Sequence, residues 1–126
     1  DQLTAFGPFA KNSSLKRKHE TEGVAIARKI LSNLDWEQHL MLKILDIIDG
    51  HDTTQQARSP EDAIVKDADK LWRVSKIGFH VDAQRFKAQP DPYLKYLQAA
   101  VSGWFLTGRG REIALTELRM RKSELG

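Results

Sequence analysis

The sequence contains no cysteine, which excludes disulfide bonds, thiolate nucleophiles and Cys-ligated zinc. Because cysteine-free chains suit a reducing compartment, we expect a cytoplasmic protein. No apolar run reaches the roughly 18 residues that a membrane-spanning helix needs, so no membrane partner is expected. No segment alternates apolar and polar residues over a useful length, so the pattern predicts no β-strand.

The composition is that of an ordinary globular domain. Of the 126 residues, 40% are hydrophobic, which is enough for one compact core but not two, so we predict a single domain over residues 1–126. A net charge of +3 is too small to indicate a nucleic-acid partner. The chain begins with Asp1, and residues 1–13 show no period, so we expect a loop or the remnant of a longer chain there.

Apolar spacing and helix-start signals predict an all-α fold, a compact bundle of about five to six helices. Ser13 or Ser14 can cap the first helix, Asp35 the second, and the Ser59-Pro60 start is followed by two acidic residues that favour a helix N-terminus. Gly50 is placed to end the second helix. The predicted helices cover residues 15–34, 36–49, 60–76, 81–87, 92–106 and 111–125.

The four histidines differ in their predicted direction. On the helical repeat His19 falls on an apolar face, and so does His51 if the second helix continues as far as that residue. His39 falls opposite its apolar face, and His80 follows an irregular joint that gives no direction. An inward histidine is more often a hydrogen-bonded core residue than a metal ligand. Two of them, followed by a helix that carries Asp-Ala-Asp, favour a metal site.

The third predicted helix has an apolar face formed by Ile64, Val65, Ala68, Leu71 and Trp72. Asp67 and Asp69 lie near opposite edges of this face, each about 100° from its centre. Helical periodicity therefore does not choose between the two carboxylates, and both can equally be solvated residues paired with neighbouring cations.

The segment IIDGHD followed by SPEDAIVKDADKLWR resembles the latter half of a small bacterial HD domain, from the superfamily of metal-dependent phosphohydrolases. The segment GWFLTGRGREIALTELRMRK is similar to the closing helices of such proteins. The resemblance covers about residues 19–124. It implies an HD-domain-like helical bundle that hydrolyses phosphate esters, nucleotides among them, at a site for one or two metal ions.

The resemblance also implies a set of ligands. His19 and His51 look like the two histidines that many members add to the motif, and Asp69 looks like its last aspartate, so the early His and the His-Asp pair would lie upstream of residue 1. In the alternative register His19 is the early His and His51-Asp52 is the pair, which adds Asp52 to the ligands.

Roles for these and neighbouring residues follow from the same resemblance. His51 and Asp69 would be catalytic, and the cofactor would be a divalent Mn, Mg, Fe, Co, Ni or Zn ion. Four acidic residues could accept a hydrogen bond from the second ring nitrogen of each imidazole: Glu20, Glu22, Asp49 and Asp52. Four cations could balance the charge of a small phosphorylated substrate, although each is more often solvated: Lys18, Lys66, Lys70 and Arg73.

Two further functions fit the same residues. A di-iron oxygenase of the HD type would use the same ligands, because imidazole suits iron well. A catalytically inert helical fragment could instead act as a binding module through its basic end, which comprises Arg109, Arg111, Arg119, Arg121 and Lys122. We expect the glutamates among them, Glu112, Glu117 and Glu124, to neutralise that end.

Overall fold

The computed structural model describes residues 13–126, which form six α-helices and no strand. The prediction of an all-α fold with five to six helices is confirmed for these residues. The helices are α1 (Ser13–Asn33), α2 (Gln38–Ile48), α3 (Pro60–Val74), α4 (Lys76–Arg85), α5 (Pro90–Trp104) and α6 (Gly108–Leu125). The loop predicted for residues 1–13 lies outside the described residues except at its end.

The chain forms two compact units, one ending at Gln55 and the other comprising Gln56–Gly126. The first unit contains α1 and α2, and the second contains the other four helices. No helix among residues 13–126 is long and apolar enough to cross a membrane.

The turn between α1 and α2 depends on Asp35, but not in the way its sequence position suggests. Asp35 has a left-handed backbone with φ 56°. Its NH donates to Ser32 O at 3.3 Å, and the NH of Trp36 donates to Leu31 O at 3.3 Å. These two bonds form a Schellman motif, so Asp35 ends α1 and does not cap α2. The α2 N-cap is Glu37, whose side chain makes no capping bond.

The end of α2 approaches the middle of α1 closely. A Cβ added to Gly23 would lie 3.4 Å from a methyl carbon of Ile48, which is ordinary van der Waals contact. Beyond Ile48 the chain turns at Gly50, whose φ of 95° is a conformation that glycine adopts without strain. The prediction that Gly50 ends the second helix is confirmed, and the turn brings His51 back toward α1.

The second unit contains an apolar core drawn from all four of its helices. Serine caps begin two of them: Ser59 accepts from the NH of Asp62 at the start of α3, and Ser75 accepts from the NH of Gly78 at the start of α4. The buried core residues are Val74, Phe79, Ala83, Tyr93, Leu94, Leu97, Val101, Phe105, Ala114 and Leu118.

The buried face of α3 differs from the prediction. Ile64, Val65 and Trp72 are 61%, 42% and 48% exposed. The buried residues of the helix are instead Asp62, Lys66, Asp67 and Val74. Polar residues can occupy this face because their side chains form hydrogen bonds with one another or with the backbone. The Lys66 ammonium lies 2.7 and 2.8 Å from the two Asp62 carboxylate oxygens, and Asp67 accepts from backbone NH groups.

Candidate functional site

His19 and His51 lie side by side in the first unit. Their ring centroids are 5.6 Å apart, and the ring planes meet at 65° in an edge-to-face arrangement. His51 is half-buried, whereas His19 is exposed. The prediction that His19 points into a core is therefore wrong: among the described residues of this unit α1 packs against α2, which leaves His19 and part of the predicted apolar face, Ile26 and Ile30, exposed. The pairing of the two imidazoles does not need burial.

A hydrogen bond to the backbone determines which nitrogen of His51 carries the proton. Its Nδ1 lies 2.7 Å from the carbonyl oxygen of Ile48. Since a carbonyl oxygen can only accept, Nδ1 must be the donor, and the neutral ring then keeps an unprotonated Nε2. A metal ligand needs such a free lone pair, and a carbonyl acceptor is a common partner of the second nitrogen in metal-binding histidines. The group that accepts from Nδ1 of His51 is thus a backbone carbonyl, and not one of the four predicted carboxylates.

Glu20, one of the four predicted carboxylates, binds the turn that follows His51. Its carboxylate is fully buried, and one oxygen, Oε1, accepts from the backbone NH groups of Asp52 and Thr53, each at 2.8 Å. The other oxygen accepts from the Thr53 hydroxyl at 2.8 Å and from Arg17 at 2.9 Å. Arg17 also pairs with Asp49 at the end of α2. We call this group of Arg17, Glu20, Asp49, Asp52 and Thr53 the Glu20 clamp.

The Glu20 clamp keeps its carboxylate ionised. Burial opposes ionisation, but the hydrogen bonds from the Thr53 hydroxyl, from Arg17 and from the two backbone NH groups outweigh it and lower the pKa of Glu20 to about 2. The charge-assisted bonds that hold the turn after α2 are therefore present throughout the neutral range.

Asp69 lies on α3 in the second unit, and its side chain is exposed. Its neighbour Asp67 is 3% exposed and accepts from the NH groups of Leu106 and Thr107 at 2.8 and 2.9 Å. The two carboxylates that helical periodicity left tied are thus distinguished: Asp67 joins α3 to the start of α6, while Asp69 stays at the surface. The role of Asp69 as a metal ligand stays a prediction.

The four predicted phosphate-balancing cations lie in unlike surroundings. Lys18 is exposed and lies 3.7 Å from Glu22, and Arg73 lies 3.7 Å from Asp82. Lys70 lies 3.4 Å from the carbonyl oxygen of Lys66. Lys66 itself is 1% exposed and its ammonium binds the Asp62 carboxylate, so its observed role lies within the second unit and it is not retained among the proposed substrate contacts.

The donor set of the histidine pair fits a borderline divalent metal, because imidazole nitrogen binds Zn²⁺, Ni²⁺, Co²⁺ and Fe²⁺ well. Asp52, the further ligand of the alternative register, has an exposed side chain, and its backbone NH belongs to the Glu20 clamp. Within residues 13–126 no group of three or more His, Asp or Glu side chains is arranged to hold a metal ion.

The remaining histidines and the basic end have other surroundings. His39 is exposed as predicted, and His80 lies 3.9 Å from Glu124. Arg121 is 1% exposed and is paired with Glu117 and Glu124, and Arg109 is paired with Glu112. The three glutamates expected to neutralise the basic end therefore do contact its arginines.

Comparison of the chain with models of protein families, with curated proteins and with solved structures found no match.

Proposed function

We propose that the protein is a metal-dependent hydrolase of phosphate esters and that His19 and His51 are metal ligands. The observation that carries the proposal is the paired imidazoles of the first unit, 5.6 Å apart, one of which has its Nδ1 committed to a backbone carbonyl. Two histidines held in this way, one with a defined tautomer, are typical of a site prepared for a metal ion. The resemblance to HD domains adds phosphate esters as the substrate class.

The chain's own residues would have distinct tasks. His19 and His51 would each give one ring nitrogen, and the carbonyl of Ile48 would keep His51 in the tautomer that can bind. When bound, a divalent ion supplies activation of a water molecule near neutral pH and polarisation of a phosphoryl oxygen. Lys18, which is exposed on α1 beside His19 in the sequence, is a candidate for balancing the charge of the phosphate.

Phosphate release after metal exchange tests this function. The protein is stripped with a chelator and reloaded with Mn²⁺, Co²⁺ or Ni²⁺, and inorganic phosphate is measured with nucleoside monophosphates, sugar phosphates and p-nitrophenyl phosphate. We expect release that depends on the metal and that falls to the metal-free level in His19→Ala and His51→Ala. His39→Ala removes an exposed histidine of the same unit and is expected to behave as the unmodified protein.

Two outcomes would overturn the proposal. Phosphate release that is the same with and without the metal, or the same in His51→Ala, contradicts a site built on that residue. Oxygen uptake in the iron-loaded protein, without phosphate release from any of the esters, would select the oxygenase alternative. Because both assays use the same preparations, they distinguish a protein without any activity from a protein that catalyses oxygenation instead of hydrolysis.

A further inference from the structure

Glu20 is the only residue of α1 whose side chain is both charged and fully buried among those that the structure describes. Burying a carboxylate lowers the free energy of unfolding unless its oxygen atoms accept hydrogen bonds from nearby donors. Four donors meet it: two adjacent backbone NH groups on Oε1, and the Thr53 hydroxyl and Arg17 on Oε2. Three of the four come from residues 52 and 53, the two that follow His51.

These bonds constrain the position of His51 directly. The turn that carries it begins at Gly50 with a left-handed backbone, which by itself leaves the following residues free to take several directions. Because Oε1 of Glu20 accepts from residues 52 and 53 together, the backbone immediately after His51 has one position relative to α1. The ring nitrogen Nδ1 then meets Ile48 O at 2.7 Å.

The same carboxylate also fixes the partner ring. Glu20 follows His19 directly on α1, so the residue that holds the turn and the residue that presents the first imidazole share one rigid helix turn. The 5.6 Å separation of the two rings is therefore set through Glu20. Arg17, bound to both Glu20 and Asp49, ties the end of α2 to the same group.

We infer that Glu20 is a positioning residue for the metal-binding histidine pair: it holds the turn after α2 so that His51 lies beside His19 with Nδ1 on the carbonyl of Ile48. The inference rests on the proposed function for the metal, but the position and tautomer of His51 can be measured without one. Glu20 acts through the turn and touches neither substrate nor metal.

The test compares Glu20→Gln with Glu37→Gln. Both replace one glutamate of the first unit by its neutral isostere, and Glu37 is exposed and makes no capping bond. In the metal-free protein, nitrogen NMR of the imidazoles above the usual histidine pKa reports the tautomer, with His51→Ala assigning the signals. We expect the Nδ1-protonated form of His51 in the unmodified protein and in Glu37→Gln, and a mixture of the two tautomers in Glu20→Gln.

The metal readout follows on the same proteins. Calorimetric titration with Ni²⁺ is expected to show affinity about 10-fold to 100-fold lower in Glu20→Gln, the usual effect of losing an outer residue that orients a ligand, and no change in Glu37→Gln. A single His51 tautomer together with unchanged Ni²⁺ affinity in Glu20→Gln overturns the inference. If the unmodified protein binds no Ni²⁺, the proposed function fails, and the tautomer measurement still decides whether Glu20 positions His51.

A second variant covers the case in which Glu20→Gln does not fold, as judged by circular dichroism. Thr53→Val removes only the hydroxyl that donates to Oε2 and leaves the charge and both backbone bonds in place. We expect a smaller change in the same direction, with some loss of the single His51 tautomer and weaker Ni²⁺ binding. A folded Thr53→Val protein with neither change overturns the inference.

Discussion

Lys87 is a residue held in a conformation that suits glycine. It follows α4 with φ 54°, its NH lies 3.1 Å from Gln84 O, and the NH of Ala88 lies 2.9 Å from Ala83 O. These bonds form a second Schellman motif, the same device that Asp35 provides after α1. Sequence patterns did not identify either position, because neither Asp nor Lys is the residue usually expected at the left-handed end of a helix.

Replacing Lys87 by glycine is expected to stabilise the protein. The left-handed backbone disfavours a side chain, so Lys87→Gly should raise the free energy of unfolding by about 0.5–1 kcal/mol in urea denaturation. Lys95→Gly is the matched control, since it removes the same charge from an exposed position inside α5 and should lower stability by about 1 kcal/mol. A loss of stability in both variants would contradict the strain assigned to Lys87.

The buried pair of Asp62 and Lys66 makes stability depend on pH. Burial alone would raise the pKa of Asp62, but the hydrogen bonds from the Lys66 ammonium and from the NH of Arg58 outweigh it and hold that pKa below its usual range. A carboxyl whose pKa is lowered in the folded state stabilises the fold above its unfolded pKa, about 4. That contribution is lost as the pH falls through the lower folded value.

We therefore expect Lys66→Met to lose stability at neutral pH, by about 3–5 kcal/mol, because it leaves the Asp62 carboxylate buried without its cation. The difference from the unmodified protein should shrink as the pH falls below about 4 and through the lower pKa of folded Asp62, because that carboxyl then becomes protonated in the unmodified protein too. Replacing both residues in Asp62→Leu/Lys66→Met should recover most of the loss. Chemical denaturation between pH 2 and 7 measures all three, and a difference that does not change with pH would contradict the pairing.

At the scale of elements, the junction of α3 and α6 depends on Asp67. Its carboxylate accepts from two backbone NH groups ahead of α6, and it also accepts from the Thr107 hydroxyl, which in turn accepts from the NH of Gly110 at 2.9 Å. Thr107 thus both caps α6 and donates hydrogen bonds to Asp67. The close approach leaves no room at Gly110, where an added Cβ would overlap the Asp67 carboxylate.

Gly110→Ala is accordingly expected to destabilise the protein, although alanine is the better helix former. Forcing a methyl group against the hydrogen-bonded Asp67 should lower the free energy of unfolding by about 1–3 kcal/mol. Gly103→Ala, inside α5 with nothing within 4 Å of the added carbon, should leave stability unchanged or raise it. Equal effects of the two substitutions in thermal unfolding would contradict the junction.

Most helix positions could be predicted from the sequence, but α4 begins at Lys76 and not at residue 81, and the buried face of α3 could not be predicted. The Ser59-Pro60 start gave the beginning of α3 because capping and proline chemistry are local. Periodicity gave the apolar face of α3, yet Ile64, Val65 and Trp72 are exposed, because a helix buries whatever face its neighbours cover. Lys66 pairs with Asp62 at ordinary helix spacing, whereas Asp67 binds the backbone of residues 106 and 107, which no spacing rule connects to it.

At the scale of the whole molecule, part of the candidate site could also be predicted. The pairing of His19 with His51 was expected from their helix faces and from the resemblance, although His19 proves exposed and His51 lies in the turn beyond the end of α2 at Ile48. The Glu20 clamp could not be foreseen in detail, since its bonds join residues more than 30 positions apart through backbone NH groups, which leave no mark on the sequence. The assignment of Asp69 as a metal ligand depends on the resemblance alone, since its side chain is exposed at the surface of α3.

The central claim is that the His19–His51 pair of the first unit holds a divalent metal, and metal content tests it most directly. The unmodified protein, His19→Ala, His51→Ala and the control His39→Ala are dialysed against Ni²⁺, freed of unbound ion, and analysed for metal per chain by mass spectrometry. We predict the same bound metal in the unmodified protein and in His39→Ala, and a large loss in the other two. Unchanged stoichiometry in both His19→Ala and His51→Ala would contradict the metal site and the hydrolase proposed from it.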